Sequence, residues 1–238
     1  KHKNFNFLNN VRVKEDIHTH NVVHNLKLVE RLTDSKFEEI PALNFPLTDE
    51  DQLFADNYIS KMNLNKPARL IGLHAGCSTL KNHIHRRWSP ESFSGLSKKL
   101  LQDKNNKVLI FGGPEEAELK EKISNSVNSD NFIDVQTGSL SQTAALIKKT
   151  DLFITNDSGL MHIAAAMQRK IISLIGPTNS DFISPWKTEF KIASLNLECA
   201  PCFFYSPKPL SCSRTDKQFK CLKELSVEQV YQLAEELI

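Results

Sequence analysis

Between Arg69 and Ile175 the sequence alternates short, continuously apolar runs with longer stretches of helical periodicity. The runs are Arg69 to His74, Lys107 to Phe111, Phe132 to Val135, Asp151 to Thr155 and Lys170 to Ile175. A strand without polar alternation has both faces covered, as in a parallel sheet flanked by helices. The helical stretches between them carry start signals. Ser89, Pro90 and Glu91 read as an N-cap, an N1 proline and an acidic first turn opening a helix to about Gln102. A second helix follows Gly112-Gly113-Pro114 as far as Ser126, a third is capped by Ser139 or Ser141 and runs to Lys149, and a fourth, rich in alanine, spans Gly159 to Gln168. The pattern predicts a doubly wound α/β domain.

The flanks carry less. Residues 1–60 hold one amphipathic helix, His20 to Leu32, a proline-containing connection from Ile40 to Leu47 and a second helical stretch from Thr48 to Lys61. Lys1 to Leu8 reads as a basic strand edge and Asn9 to Glu15 as a polar connection. These elements supply too few strands for a sheet. The chain has 238 residues, which at roughly 150 per domain is about one and a half domains. The expected division is therefore an incomplete domain with its linker at 1–62 and a complete one at 63–238, with sequence missing upstream of Lys1. Beyond Trp186 we expect a strand from Phe190 to Leu195, a cysteine-bearing loop, and a helix to Ile238 capped by Ser226 with Glu228. That helix either closes the domain or straps across to a partner domain.

Composition narrows the function classes. Thirty basic and 28 acidic side chains leave a formal charge of +2, which gives no electrostatic footprint for nucleic acid. No apolar run approaches the roughly 20 residues of a membrane span, and no signal-type segment opens the chain, so a cytoplasmic location is expected. The eight glycines all lie between Gly72 and Gly176. Such economy predicts glycine where φ is positive or another group approaches the backbone closely.

Four segments fall at strand ends and carry candidate chemistry. In Thr155-Asn-Asp-Ser-Gly-Leu-Met-His162 a strand ends, Asp157-Ser158-Gly159 turns the chain, and a helix begins. Its unpaired N–H groups and dipole suit a phosphate, with His162 one turn beyond Ser158 on the same face. A plain helix cap at Asp157 and a core histidine explain the spacing equally well. His74-Ala-Gly-Cys-Ser78-Thr79 is followed by Arg86-Arg87-Trp88, a diphosphate clamp of hydroxyls and guanidinium groups or, alternatively, solvated arginines beside a core tryptophan. Gly112-Gly113-Pro114-Glu115-Glu116 offers a carboxylate for a ribose diol or simply an acidic first helical turn. In Gly176-Pro177-Thr178-Asn179 the Thr178 hydroxyl can reach the same phosphates, though alone the segment is a turn.

Metal sites read weakly. His18, His20 and His24, and His83 with His85, lack an established ligand spacing. Cys199 and Cys202 form one CxxC pair, but Cys212 and Cys221 do not form a second. Reduced thiols in a loop are the leading expectation, with zinc or a disulfide as alternatives.

The ordered set resembles glycosyltransferase family 9, the bacterial lipopolysaccharide heptosyltransferases and their relatives. The resemblance rests on Arg-Arg-Trp-Ser-Pro-Glu-Ser-Phe at 86–93, Phe-Gly-Gly-Pro-Glu-Glu at 111–116, Thr-Asn-Asp-Ser-Gly-Leu-Met-His at 155–162 and Gly-Pro-Thr-Asn at 176–179. It covers about residues 60–238, and His20 to Leu26 resembles a family helix near the end of the acceptor domain. It implies the C-terminal half of a two-domain, B-type glycosyltransferase fold, with Rossmann-like domains facing a cleft. It further implies an ADP-activated heptose donor, inverting transfer without a metal or other cofactor, and a lipopolysaccharide-core, glycolipid or related glycan acceptor. Peripheral association with the inner membrane face would accompany such an acceptor.

By motif, the catalytic residues implied are Arg86 and Asp157. Asp157 would contact the donor sugar, Ser158 and Gly159 would hold the diphosphate, and His162 would brace that turn. Arg86 stands where many members have Lys and would neutralise phosphate charge. Glu116, or else Glu115, would bind the ribose, while Ser78, Thr79 and Thr178 complete the donor-binding set. The family's general base lies near the start of the N-terminal domain, a region this sequence does not contain. A nucleotide-sugar 2-epimerase-like enzyme and a non-catalytic nucleotide-binding module are the alternative functions.

Overall fold

Each apolar run becomes a strand of one sheet in the computed structural model, which describes residues 10–65, 67–204 and 209–238. The strands are β1 (Arg69–His74), β2 (Asn106–Phe111), β3 (Phe132–Asp134), β4 (Leu152–Asn156), β5 (Lys170–Leu174) and β6 (Phe190–Ala193). They are parallel and ordered β3-β2-β1-β4-β5-β6, with Leu73 opposite both Ile110 and Ile154. This is the doubly wound arrangement expected. Its order reverses direction between β1 and β4, which opens a crevice at the carboxyl ends of those two strands.

The helices are α1 (Asn21–Thr33), α2 (Asp49–Lys61), α3 (Pro90–Leu100), α4 (Ala117–Val127), α5 (Leu140–Ile147), α6 (Gly159–Ala166), α7 (Ser180–Ile183), α8 (Lys220–Lys223) and α9 (Val227–Glu235). Alternate strand residues feed two cores. Leu152 and Ile154 pack on one face with Phe93 and Leu96 of α3, Ile123 of α4 and Val230 and Ala234 of α9. Phe153 packs on the other with Ala55 and Ile59 of α2, Ala144 and Leu146 of α5, and Ala164 of α6. Continuous apolar strands therefore reflect two buried faces.

Caps follow the side chains available. Ser89 accepts the Ser92 N–H, and Ser139, not Ser141, caps α5 by accepting the Gln142 N–H. Thr48 and Asp51 form a reciprocal capping box on α2. Ser226 caps α9 with Gln229 as its reciprocal partner; Glu228, the expected partner, instead pairs with Lys99 of α3. The C-terminal helix thus closes the sheet domain. The strand edge expected at Lys1 to Leu8 lies outside the described residues.

The two N-terminal helices differ. α2 buries Ala55 and Ile59 in the sheet's own core, so its packing continues across the division expected at residue 62. α1 buries no residue fully. It is anchored by histidines: the His20 ring sits 4.6 Å from that of Trp186, its Nε2 lies 2.9 Å from the Ser184 carbonyl oxygen, and His24 packs on Phe182. Among the described residues no helix is long and apolar enough to cross a membrane.

No glycine among the described residues has a positive φ. Close approach explains several of them instead: a Cβ on Gly76 would lie 1.4 Å from Glu116 Oε1, and one on Gly72 would lie 2.5 Å from the Phe153 ring. Positive φ is carried by Asp34, Asn63, Lys81, Asn82 and Asn128, among others. Asn and Asp are the side chains best suited to that conformation after glycine.

Candidate functional site

The sheet's carboxyl edge opens into a cleft of about 1150 Å³. Strand-end segments converge there. His74 to Leu80 follows β1, Gly112 to Ala117 follows β2, Asp134 to Leu140 follows β3, and Ser158 to Leu160 follows β4. Of the candidate residues, Ser78, Thr79, Glu116, Ser158 and Gly159 line the cleft. Arg86, Asp157, His162 and Thr178 do not belong to its lining.

Arg86 and Asp157 are occupied with each other. Arg86 Nη1 donates to Asp157 Oδ2 at 2.6 Å and to the Asp157 carbonyl at 3.2 Å, and the Thr178 hydroxyl donates to the same Oδ2 at 2.7 Å. All three residues are buried. The guanidinium therefore clamps the Asp157-Ser158-Gly159 turn from behind. Its neighbour Arg87 takes the position in the cleft wall, where Nη2 donates to the Cys77 carbonyl at 2.5 Å and lies 3.7 Å from Glu116 Oε1. Arg87 Nε is buried without a hydrogen-bond partner among the described residues.

The turn itself presents a bare helix end. Ser158 occupies the N-cap position of α6 without making a side-chain cap, because its hydroxyl is engaged by His74 Nδ1 at 3.0 Å and Thr155 Oγ1 at 3.1 Å. A Cβ placed on Gly159 would meet nothing within 4 Å. The first N–H groups of α6 are thus left for a ligand approaching from the cleft.

His74 joins three strand ends, a role that the sequence reading did not assign. Beside its contact with Ser158, its Nε2 lies 3.1 Å from Glu116 Oε2. Glu116 also accepts the Gly113 N–H at 3.2 Å. Burial pushes the Glu116 carboxyl up, but the His74 hydrogen bond, the His74 and Arg87 charges and the Gly113 N–H outweigh it and leave it below its ordinary value. Glu115 is the exposed member of the pair, also on the cleft wall. A second missed residue is Lys120, whose Nζ is buried between Asp134 Oδ1 at 2.6 Å and the Val135 carbonyl at 2.9 Å. A histidine ending a central strand was the available signal for the first; nothing local marked Lys120.

His162 does not supply the expected brace. Arg86, Thr178 and His74 hold the turn by hydrogen bonds, whereas burial is the leading cause that keeps the His162 pKa below its ordinary value.

The model of glycosyltransferase family 9 (heptosyltransferase) matches residues 2–210. The chain belongs to that family. Lipooligosaccharide heptosyltransferase 2 of Campylobacter jejuni is 32% identical over 180 residues, covering 74% of this chain and 53% of that protein. The family 9 chain thus spans about half the length of this relative. Among solved structures, the family 9 glycosyl transferase of Veillonella parvula superposes with a TM-score of 0.78 at 22% identity, over 99% of this chain and 65% of that one. The E. coli ADP-heptose lps heptosyltransferase II gives 0.63 at 20% identity, over 85% and 55%. These likenesses confirm the α/β fold of a B-type glycosyltransferase half for this family 9 chain.

Beside the cleft, the family 9 domain carries its cysteine loop. Cys199, Cys202, Cys212 and Cys221 are all free thiols. The loop is pinned to the Pro177 carbonyl by the Cys202 and Phe203 N–H groups at 3.0 and 2.9 Å, and to the Lys81 carbonyl by the Leu210 N–H at 2.9 Å. Burial, followed by the neighbouring thiols of Cys202, Cys212 and Cys199, pushes the Cys221 thiol up to about 11.

Proposed function

We propose that the chain is the donor-binding half of an inverting glycosyltransferase that takes a sugar, heptose, from an ADP-activated donor and passes it to a lipopolysaccharide-core or related glycan. One observation carries the reading: the bare N-terminus of α6 opens at Gly159 into a cleft of about 1150 Å³ at the β1/β4 crossover. The ADP-heptose named for the E. coli structure and the lipooligosaccharide named for the Campylobacter relative support the choice of substrates.

In this reading the diphosphate seats on the α6 N–H groups, with Ser78 and Thr79 as hydroxyl donors. Arg87 is the guanidinium placed to meet it, since its side chain, unlike that of Arg86, lies in the cleft wall. Breaking the sugar–phosphate bond gathers negative charge on the leaving diphosphate. Preorganised N–H donors at a helix end, together with a fixed cation, stabilise that charge as it develops, so no catalytic metal is called for. Arg86 and Asp157 act one layer back, holding the turn in register. The ribose falls to the acidic pair after β2, where Glu115 is free to reach and Glu116 is held by His74. No residue of the described chain is assigned as the general base.

The packing of α2 supports placing the domain division ahead of Thr48 rather than at residue 62. A cytoplasmic protein touching the inner membrane face at its acceptor fits the same reading. Calorimetry with ADP-, UDP-, GDP- and CMP-sugars tests it. Binding of ADP-heptose with little turnover by this chain alone is expected; robust transfer by the 238-residue chain would sink the donor-half reading. Donor returned epimerised, with no acceptor present, would overturn transfer in favour of an epimerase.

A further inference from the structure

A serine at a helix start ordinarily caps the helix with its own hydroxyl. In this chain Ser89, Ser139 and Ser226 do so, each accepting the N–H three residues on. Ser158 does not. Its backbone is no obstacle, since its φ and ψ of −151° and 169° nearly match the −152° and 163° of Ser139. The Met161 N–H, which a capping Ser158 hydroxyl would take, turns to the Ser158 carbonyl at 3.2 Å. What differs is the neighbour. His74, at the end of β1, reaches the Ser158 hydroxyl with Nδ1 at 3.0 Å.

The direction of these bonds follows from the other side of the ring. Glu116 is held below its ordinary pKa and is therefore a carboxylate at neutral pH, an acceptor only. His74 Nε2, 3.1 Å from Glu116 Oε2, carries the proton and donates. In the neutral ring Nδ1 is then the acceptor, and the Ser158 O–H donates to it. Thr155 does not supply that proton, because its own hydroxyl donates to the Asn156 carbonyl at 2.9 Å. Both ends of the relay are fixed: the His74 and Glu116 side chains are 6% and 9% exposed, and Glu116 Oε1 fills the space that a Cβ on Gly76 would need. A buried ring paired at both nitrogens sets the hydroxyl in one orientation.

We infer that His74 is a positioning residue of the donor site: by holding the Ser158 hydroxyl at the strand end, it withholds the cap from α6 and keeps the helix terminus open to the donor's diphosphate. The inference rests on the donor-binding reading above and adds the reason that the terminus is bare. A capping hydroxyl lies across the first turn, where its oxygen competes with an anion for the same N–H groups. His74 removes that competitor. The Asp157 carboxylate, the other side-chain acceptor of the turn, is likewise taken up, by Arg86 and Thr178. The same ring ties the turn after β4 to Glu116 after β2, so the parts of the cleft wall that take diphosphate and ribose keep a fixed spacing.

The test is calorimetry on the full chain with ADP as the probe. His74→Gln places its amide where Nε2 stands, keeping Glu116 but freeing Ser158 to cap; ADP should bind about fivefold more weakly, the worth of one cap. His74→Asn places its amide where Nδ1 stands and, as the conservative variant, should keep most of the affinity. Adding Ser158→Ala to His74→Gln removes the freed hydroxyl and should recover the loss. If His74→Gln does not fold, His74→Phe, which fills the ring's volume without its nitrogens, replaces it. A readout without ligand separates this inference from the donor reading: in His74→Gln the Met161 N–H gains the hydroxyl and should exchange with solvent about fivefold more slowly, by NMR. Slowed exchange in a chain that ignores ADP would overturn the donor reading alone. Unchanged ADP affinity and unchanged Met161 exchange in folded His74→Gln would overturn the role of His74. So would a loss of affinity that Ser158→Ala leaves in place.

Discussion

Arg86 Nη1 lies 2.6 Å from Asp157 Oδ2, with the two side chains 5% and 4% exposed. A charge pair this deep carries a large desolvation penalty, so it contributes more to holding the turn before α6 in one position than to net stability. Removing one partner leaves the other without its buried countercharge. Arg86→Ala is expected to cost about 3–5 kcal/mol, read as a lowered chemical-denaturation midpoint. An Arg86→Met, Asp157→Leu double variant should recover most of that stability while still losing donor affinity. If Arg86→Ala melts like the wild type, the pair is not structural.

Gly159→Ala separates binding from folding. The added methyl meets nothing within 4 Å in the protein and points into the cleft. Stability should stay within about 0.5 kcal/mol of the wild type, as for a surface substitution. Affinity for an ADP-sugar should fall about tenfold, or about 1.4 kcal/mol, by calorimetry. Unchanged affinity would mean that no phosphate approaches α6.

Gly76 guards the Glu116 carboxylate. Its substitution by Ala forces Oε1 away from a position 1.4 Å from the new Cβ and strains the bond to His74. Overpacking of this kind costs about 1–3 kcal/mol. Shortening the opposing side chain in a Gly76→Ala, Glu116→Ala double variant should restore part of the loss in thermal melts. An additive double variant would show that the two residues do not compete for the same space.

Acid should loosen the histidine contacts first. Burial is the leading cause that lowers the pKa of His20, His83 and His162 below the ordinary 6.5. The unfolded chain then binds protons that the folded chain resists. Their contribution is complete above about pH 6.5 and is lost as pH falls through the lower folded values. Melting temperature should therefore drop between about pH 7 and pH 5, and His20→Gln should flatten the profile. Glu116, held below its ordinary 4.5, adds a second loss at lower pH. A profile equally steep in His20→Gln would remove that histidine from the account.

Trimming tests the domain division. A chain beginning at residue 63 lacks Ala55 and Ile59 of α2, which cover the sheet face at Phe153. Losing such buried side chains costs about 2–5 kcal/mol each for the larger ones. That chain should bind a hydrophobic dye and melt early, whereas one beginning near residue 42 should match the full length. Equal stability of the two would return the boundary to residue 62.

The type of the sheet elements and their parallel direction were determined by the sequence itself. Continuous apolar runs such as Leu152 to Thr155 require cover on both faces, and caps such as Ser89 and Ser139 are local chemistry that a linear reading captures. Three of the segments that gather at the site, those after β1, β2 and β4, were legible for the same reason, since each directly follows a strand; the one after β3 was not singled out, and Gly176 to Asn179 reaches the site only through the bond from Thr178 to Asp157. Which side chain in each segment faces the cleft was not. Arg86 and Arg87 are adjacent and chemically alike, yet one is buried on Asp157 and the other lines the cavity. Glu116 and Glu115 divide in the same way, and His74 became a hub because β1 lies between β2 and β4. The convergence of four cysteines spread from 199 to 221, and the capture of α2 by a sheet that begins after it, likewise arise from packing. Local propensity acts through neighbours along the chain, whereas burial and charge pairing depend on groups that meet only once the sheet has assembled.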